Sequence, residues 1–269
     1  MTKNKTTVNC VLDRRRLLAG LGAAAVLFAE RRALAQDVKP MPRRREPFLT
    51  DSYLEQLTEQ YRDQAQSDGP PRVLFIGNSI TLGHNVPARV AAEAASEGVK
   101  LEVALAAATG ARLRETARIE GLGPLLEASN WDVLVLQDHT TTPFRALDRQ
   151  SSHDTIAGLA AKARPKNVLL YPPWPRAPGH AFYSRAPQEE QDLPSGPEDF
   201  AQRTMDFYGS IARKHGFAVA PVPEHWLNAV GQQRPVYDSD KYHASAEGAD
   251  LAASVIWQSL KRLLGGSSP

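Results

Sequence analysis

The chain has 269 residues, with 32 Lys+Arg against 30 Asp+Glu, 42% hydrophobic and 23% charged, a balance that excludes disordered, collagen-like and multi-span membrane classes. Its length suffices to bury a substantial core, in one large domain or two small ones. A single cysteine, Cys10, excludes any intramolecular disulfide framework and any cysteine-rich zinc module.

The small basic excess is local. Residues 1–35 hold seven basic side chains against two acidic ones, so 36–269 carry 25 basic and 28 acidic residues and a net charge of −3. Phosphate-backbone binding by the folded part loses its main warrant, and no nucleic-acid partner is expected. The first 35 residues have the three parts of an export signal. A polar basic stretch ends in Asp13-Arg14-Arg15-Arg16-Leu17-Leu18, and an apolar run from Leu17 to Ala29 follows, too short to span a bilayer comfortably. Ala33-Leu34-Ala35 then supplies the small residues a signal peptidase needs, with cleavage expected after Ala35. The paired arginines followed by two leucines resemble a twin-arginine signal, and the Gly- and Ala-diluted run with Arg31-Arg32 behind it fits that route. The expectation is a periplasmic or secreted protein delivered by the twin-arginine export machinery, with no membrane span after cleavage. The alternative is an uncleaved anchoring helix. Cys10 leaves with the signal.

Residues 36–50 are Pro- and Arg-rich without periodicity and read as a linker, and 51–269 as the functional domain. A helical pattern starts at Asp51 and runs through Leu54, Leu57 and Tyr61. Residues 72–76, apolar and β-branched, end at Gly77 as a buried strand does. Pro87 opens a helix that Gly98 closes. A strand is predicted at 101–107, a turn into a helix after Gly110, and a short helix over 121–128. Residues 131–137 give the clearest strand, apolar on both faces. Helix 151–163 then precedes strand 167–171, helix 198–214 precedes strand 217–222, and a last helix runs from 245 to about 264. Five strands spaced by helices predict a three-layer α/β/α domain, flavodoxin-like in plan, around a central five-stranded parallel sheet. Ligands in such sheets sit beyond the carboxyl ends of the strands. Residues 172–197 break the rhythm with seven of the 20 prolines, and Trp174, Phe182 and Tyr183 mark them as a packed loop near the site.

Two clusters carry chemistry. Gly77-Asn78-Ser79-Ile80-Thr81 follows the first strand, where a serine projects its hydroxyl above the sheet edge or simply caps the next helix. Thr81 stands where the nucleophile elbow of α/β-hydrolases has its second glycine, and the spacing and lysine of a P-loop are absent. Near the C-terminus, Asp240-Lys241-Tyr242-His243 places a carboxylate three positions before a histidine, close enough to hold the imidazole in one tautomer.

Together with Gly110 and with Ser245 and Gly248 after His243, these segments resemble the blocks of the SGNH (GDSL-like) hydrolases, over roughly residues 72–262. The resemblance implies Ser79 as nucleophile, His243 as general base then acid, and Asp240 as its orienting carboxylate. It also implies an oxyanion hole formed by the backbone N–H groups of Ser79 and Gly110. The third block departs from the family pattern: the strand ends in Val135-Leu136-Gln137-Asp138-His139, without the Asn whose side chain donates to the oxyanion. Gln137, with the same amide one methylene further out, is the expected substitute, its alternative being a polar strand end bonded to a neighbouring loop. Asp138 and His139 are either further site residues or, as loop residues, solvated, the second being the expectation. The implied activity is cofactor-free hydrolysis of an acyl or acetyl ester, plausibly on a carbohydrate, with a small-molecule or carbohydrate ester as the binding partner. Rival readings are a lipase or phospholipase of the same family, an inactive glycan- or cell-wall-binding relative, and a phosphate or flavin binder using Gly77–Thr81 as an anion loop. The seven histidines (His84, His139, His153, His180, His215, His225, His243) show no metal-binding spacing, and no metal is expected.

Overall fold

A computed structural model describes residues 51–62, 69–128, 130–185 and 192–265. The export signal and linker assigned to residues 1–50 lie outside the described residues. In chain order the elements are α1 (Asp51–Arg62), β1 (Arg72–Gly77), α2 (Ser79–Leu82), α3 (Val86–Ser96) and β2 (Glu102–Ala107), then α4 (Leu113–Thr116), α5 (Leu122–Ala128) and β3 (Val133–Leu136). They continue with α6 (Ala146–Ala163), β4 (Asn167–Leu170), α7 (Pro197–His215), β5 (Ala218–Val219), α8 (Val222–Gly231) and α9 (Ala246–Gly265).

The five strands form one sheet in the order β2-β1-β3-β4-β5, every pair parallel, so the predicted architecture is the observed one. Strand residues alternate between faces. Val73, Phe75, Val133, Val135 and Leu169 face a core closed by α3, α8 and α9, while Leu74, Ile76, Leu134, Leu136 and Leu170 face one closed by α1, α5, α6 and α7. Covering both faces is what lets β1 read as an unbroken apolar run. The register places the ends of β1 and β2 side by side, Gly77 against Ala107, and this edge carries the site.

Three elements differ from expectation. The fifth strand keeps only Ala218–Val219, because from Val222 the chain turns into α8, with a proline in its first turn. Proline fits that position and cannot donate to a sheet ladder. The helix after Gly110 is a single turn, and α6 starts at Ala146, so Asp148 lies in its first turn.

Candidate active site

β1 ends at Gly77, where a side chain has no room: a Cβ would lie 2.3 Å from Thr81 Oγ1 and 2.6 Å from Gln137 Oε1. Asn78 then caps α2, its Oδ1 accepting from the Ile80 N–H at 3.1 Å. This leaves Ser79 as the first helical residue, half-buried at the carboxyl edge of the sheet. The reading of Ser79 as the helix cap is therefore corrected: Asn78 is the cap, and the Ser79 hydroxyl is left free of that role.

The C-terminal loop closes over this point. An antiparallel bridge between Tyr237 and Ala244 pinches residues 238–243 into a tight turn, secured by Asp238 N–H donating to the His243 carbonyl at 2.9 Å. Gly248 lets the start of α9 press against the segment leading into the turn, since a Cβ there would lie 2.1 Å from the Val236 carbonyl oxygen. The loop brings His243 Nε2 to 3.2 Å from Ser79 Oγ, and His243 Nδ1 lies 2.5 Å from Asp240 Oδ2. Asp240 Oδ1 accepts from the backbone N–H groups of Tyr242 (2.9 Å) and His243 (2.8 Å), so both carboxylate oxygens are committed. Burial by itself would raise the Asp240 carboxyl, but the hydrogen bonds from the imidazole and these two N–H groups hold it below its ordinary value. With Nδ1–H donating to Asp240, the Nε2 lone pair faces the serine hydroxyl, as removal of its proton requires.

Gly110 sits in the turn after β2 with φ +73°, closed by Ala111 N–H to the Ala108 carbonyl at 3.1 Å. Asn78 Nδ2 donates to the Ala111 carbonyl at 3.0 Å and ties this turn to the serine. Among the described residues, neither the Ser79 N–H nor the Gly110 N–H has a protein acceptor, which leaves both for a ligand oxygen.

Gln137 differs from expectation. It is 1% exposed and lies beneath the serine turn rather than in the hole. Its Oε1 accepts from the Asn78 N–H (3.0 Å) and the Thr81 hydroxyl (2.8 Å), while Nε2 donates to the Asp138 carbonyl. The amide supports the turn, and its reach through one more methylene is what takes it under Asn78. Asp138 is not solvated either: it is 2% exposed, and Oδ1 accepts from the N–H groups of Leu113 (2.7 Å) and His139 (2.6 Å). His139 is half-buried beside Thr141, 2.8 Å from its hydroxyl; burial first, then the Arg112 and Arg176 charges, hold the imidazole below its ordinary value.

The Pro-rich segment packs beside the site. Trp174 Nε1 donates to the Tyr242 carbonyl (3.0 Å), Ala177 N–H to the Lys241 carbonyl (2.9 Å) and Tyr237 Oη to the Pro175 carbonyl (2.9 Å). Trp174 also stacks on Trp226, ring centroids 4.2 Å apart and 5° from parallel. A cleft of about 240 Å³ opens at Ser79 and His243, walled by Ile80, Leu82, His84, Trp174 and Ala244. Trp174 lies at the site, as its loop was expected to, whereas sequence reasoning missed the roles of Asn78 and Thr81 in forming it. An Asn directly before a helix start was the one available signal, for Asn78.

No protein-family model and no curated protein matches the sequence. Solved structures do. A protein from Slackia heliotrinireducens described as an SGNH hydrolase is 23% identical, with 71% of this chain aligned to 100% of that one and a TM-score of 0.59. A lipase/acylhydrolase from Enterococcus faecalis is 16% identical over 71% of this chain and 95% of its own, with a TM-score of 0.54. A catalytic mutant of an acetylxylan esterase from Geobacillus stearothermophilus is 14% identical over 75% and 97%, with a TM-score of 0.52. The five-stranded α/β/α fold built above is thus the fold of these SGNH hydrolases and esterases.

Proposed function

We propose that the protein is a serine ester hydrolase of the SGNH type, acting on a short acyl ester, plausibly an acetyl group on a carbohydrate. The observation that carries this reading is the hydrogen-bonded chain Ser79 Oγ–His243 Nε2 (3.2 Å) and His243 Nδ1–Asp240 Oδ2 (2.5 Å). Ser79 Oγ attacks the ester carbonyl as its proton passes to Nε2, and the tetrahedral oxyanion takes hydrogen bonds from the N–H groups of Ser79 and Gly110. The same proton then goes from Nε2 to the departing alkoxide, leaving an acyl-Ser79 ester. Water, deprotonated by His243, repeats the sequence and releases the acid. Asp240 fixes the tautomer and stabilises the transient imidazolium. The fold shared with an acetylxylan esterase supports the acyl-ester class. The small cleft favours a short acyl group over a lipid chain.

Export belongs to the same proposal: residues 1–35 act as a twin-arginine signal cleaved after Ala35, which places the enzyme in the periplasm or outside the cell. The test of the activity is fluorophosphonate labelling with a screen of short p-nitrophenyl esters and acetylated sugars. Ser79→Ala should abolish both labelling and turnover with thermal stability near wild type, because loss of a half-buried hydroxyl opens no core cavity. Activity surviving within a few-fold would make Ser79 a turn residue.

A further inference from the structure

Beside His243 stands a guanidinium, that of Arg176, with which no described carboxylate pairs. Tyr242 packs its ring against the His243 imidazole, centroids 4.4 Å apart, and on it lies the Arg176 guanidinium, 4.3 Å from the ring centre. Arg176 also lies 4.2 Å from the centre of the Phe182 ring. Its Nε is buried without a hydrogen-bond partner, and among the described residues no carboxylate lies within ion-pair distance of it. Aromatic contacts of this kind occupy the guanidinium's flat faces and leave its N–H edge for an anion.

A second cationic group adjoins the oxyanion turn. Asp148, 4% exposed, pairs with Arg112 (2.9 Å), Arg114 (2.8 Å) and Arg145 (3.4 Å). One carboxylate is thus shared by three guanidinium groups, and the Nε of Arg112, two residues past Gly110, is buried without a hydrogen-bond partner. His139 shares the Asp138 carboxylate with Leu113, the residue after Arg112, and the Arg112 and Arg176 charges both act on its imidazole. Thr140, its neighbour, ties this loop back to Tyr242 through hydroxyls 3.2 Å apart. Buried donors without acceptors are costly in a folded protein unless a ligand satisfies them.

Resting on the hydrolase reading, we propose that the substrate's alcohol carries a carboxylate, as in an esterified hexuronic acid, and that Arg176 and Arg112 receive it. The alcohol is the half concerned because His243 Nε2 protonates the leaving oxygen and Tyr242 bridges that imidazole to Arg176. The apolar cleft walled by Ile80, Leu82, Trp174 and Ala244 is left for the acyl group. A planar carboxylate matches the guanidinium edge through paired, charge-assisted hydrogen bonds.

The experiment compares kcat/KM for an acetylated methyl hexuronide with that for the equally acetylated methyl hexoside. Wild type should favour the uronide by about tenfold or more at low salt, with the ratio shrinking in 0.5 M NaCl. Arg176→Gln should bring the ratio close to one. A wild-type ratio near one, a ratio that Arg176→Gln leaves intact, or a preference that follows a monosuccinyl ester instead would each overturn the proposal. If Arg176→Gln does not fold, the wild-type ratio and its salt dependence decide. Titrating Ser79→Ala with methyl glucuronide and methyl glucoside separates the two ideas. Selective uronide binding without any ester turnover would keep the subsite and sink the hydrolase, whereas turnover without selectivity would do the reverse.

Discussion

Two aspartates share the loop before α9, and their hydrogen bonds give them different work. Asp238 turns its Oδ1 to the adjacent Ser239 N–H (2.7 Å), while Asp240 grips the imidazole and two backbone N–H groups. An amide at position 240 would keep its oxygen on those N–H groups and present NH₂ to Nδ1. That forces the tautomer in which Nε2 carries the proton and cannot take one from Ser79. Asp240→Asn should therefore cut kcat by about 10²-fold or more, and Asp238→Asn should leave it within a few-fold, both read by steady-state kinetics. The reverse pattern would move the orienting role to Asp238. The three-residue spacing made this pair legible in the sequence. Gln137 was not legible in the same way, because which neighbour its amide meets depends on how closely Asn78 and Thr81 pack over the end of β3. Gln137→Ala strands the buried Asn78 N–H and Thr81 hydroxyl, so we expect a loss of about 2–4 kcal/mol in stability by denaturant unfolding, together with lower kcat. Full stability with a kcat defect alone would return Gln137 to the oxyanion hole.

At the scale of elements, the site depends on which segments are clamped together. α6 contributes Asp148 from its first turn and holds Arg112, and with it the turn containing Gly110, against the sheet edge. Burial by itself would raise the Asp148 carboxyl, but hydrogen bonds from Arg112 and Arg114 and the charges of Arg112 and Arg145 keep it below its ordinary value. A carboxyl lowered in the folded state stabilises above its unfolded pKa of about 3.9, and that contribution disappears as pH falls through the lower folded value. Wild type should thus lose Tm faster between pH 5 and pH 2 than Asp148→Asn, while at pH 7 the variant should be less stable by about 2–4 kcal/mol. Parallel Tm profiles for the two proteins would contradict the clamp. The helices and strands that form these clamps were readable from apolar periodicity and Pro/Gly punctuation. α8 was not, because Val222 and the prolines around it look alike whether a strand continues or a helix starts.

For the whole molecule, the order β2-β1-β3-β4-β5 puts β1 next to both β2 and β3, so residues following three different strands meet at one edge. Ser79 follows β1, Gly110 follows β2 and Gln137 follows β3, and the loop between α8 and α9 brings His243 to the serine. A site assembled from segments this far apart forms only in the folded chain, and the proposed twin-arginine signal is of the kind that exports folded protein. Replacing Arg14 and Arg15 together by lysine should abolish delivery to the periplasm, as fractionation and immunoblotting would report. Unchanged periplasmic yield would assign the signal to the general secretory route.

The layer architecture and the parallel sheet were determined by local pattern, since buried strands are apolar on both faces and helices carry their own period. The three-residue spacing brought Asp240 within reach of His243, while Ser79 was picked out only by the resemblance of its block together with that pair. The tertiary structure alone decided what Gln137 and Asp138 bond to, that the Pro-rich segment lies along the loop of His243, and that Arg176 rests on the Tyr242 ring beside that histidine. Those facts depend on contacts between residues tens to more than a hundred positions apart, and no short-range periodicity encodes the partner of a buried hydrogen bond or the charge that gathers around it.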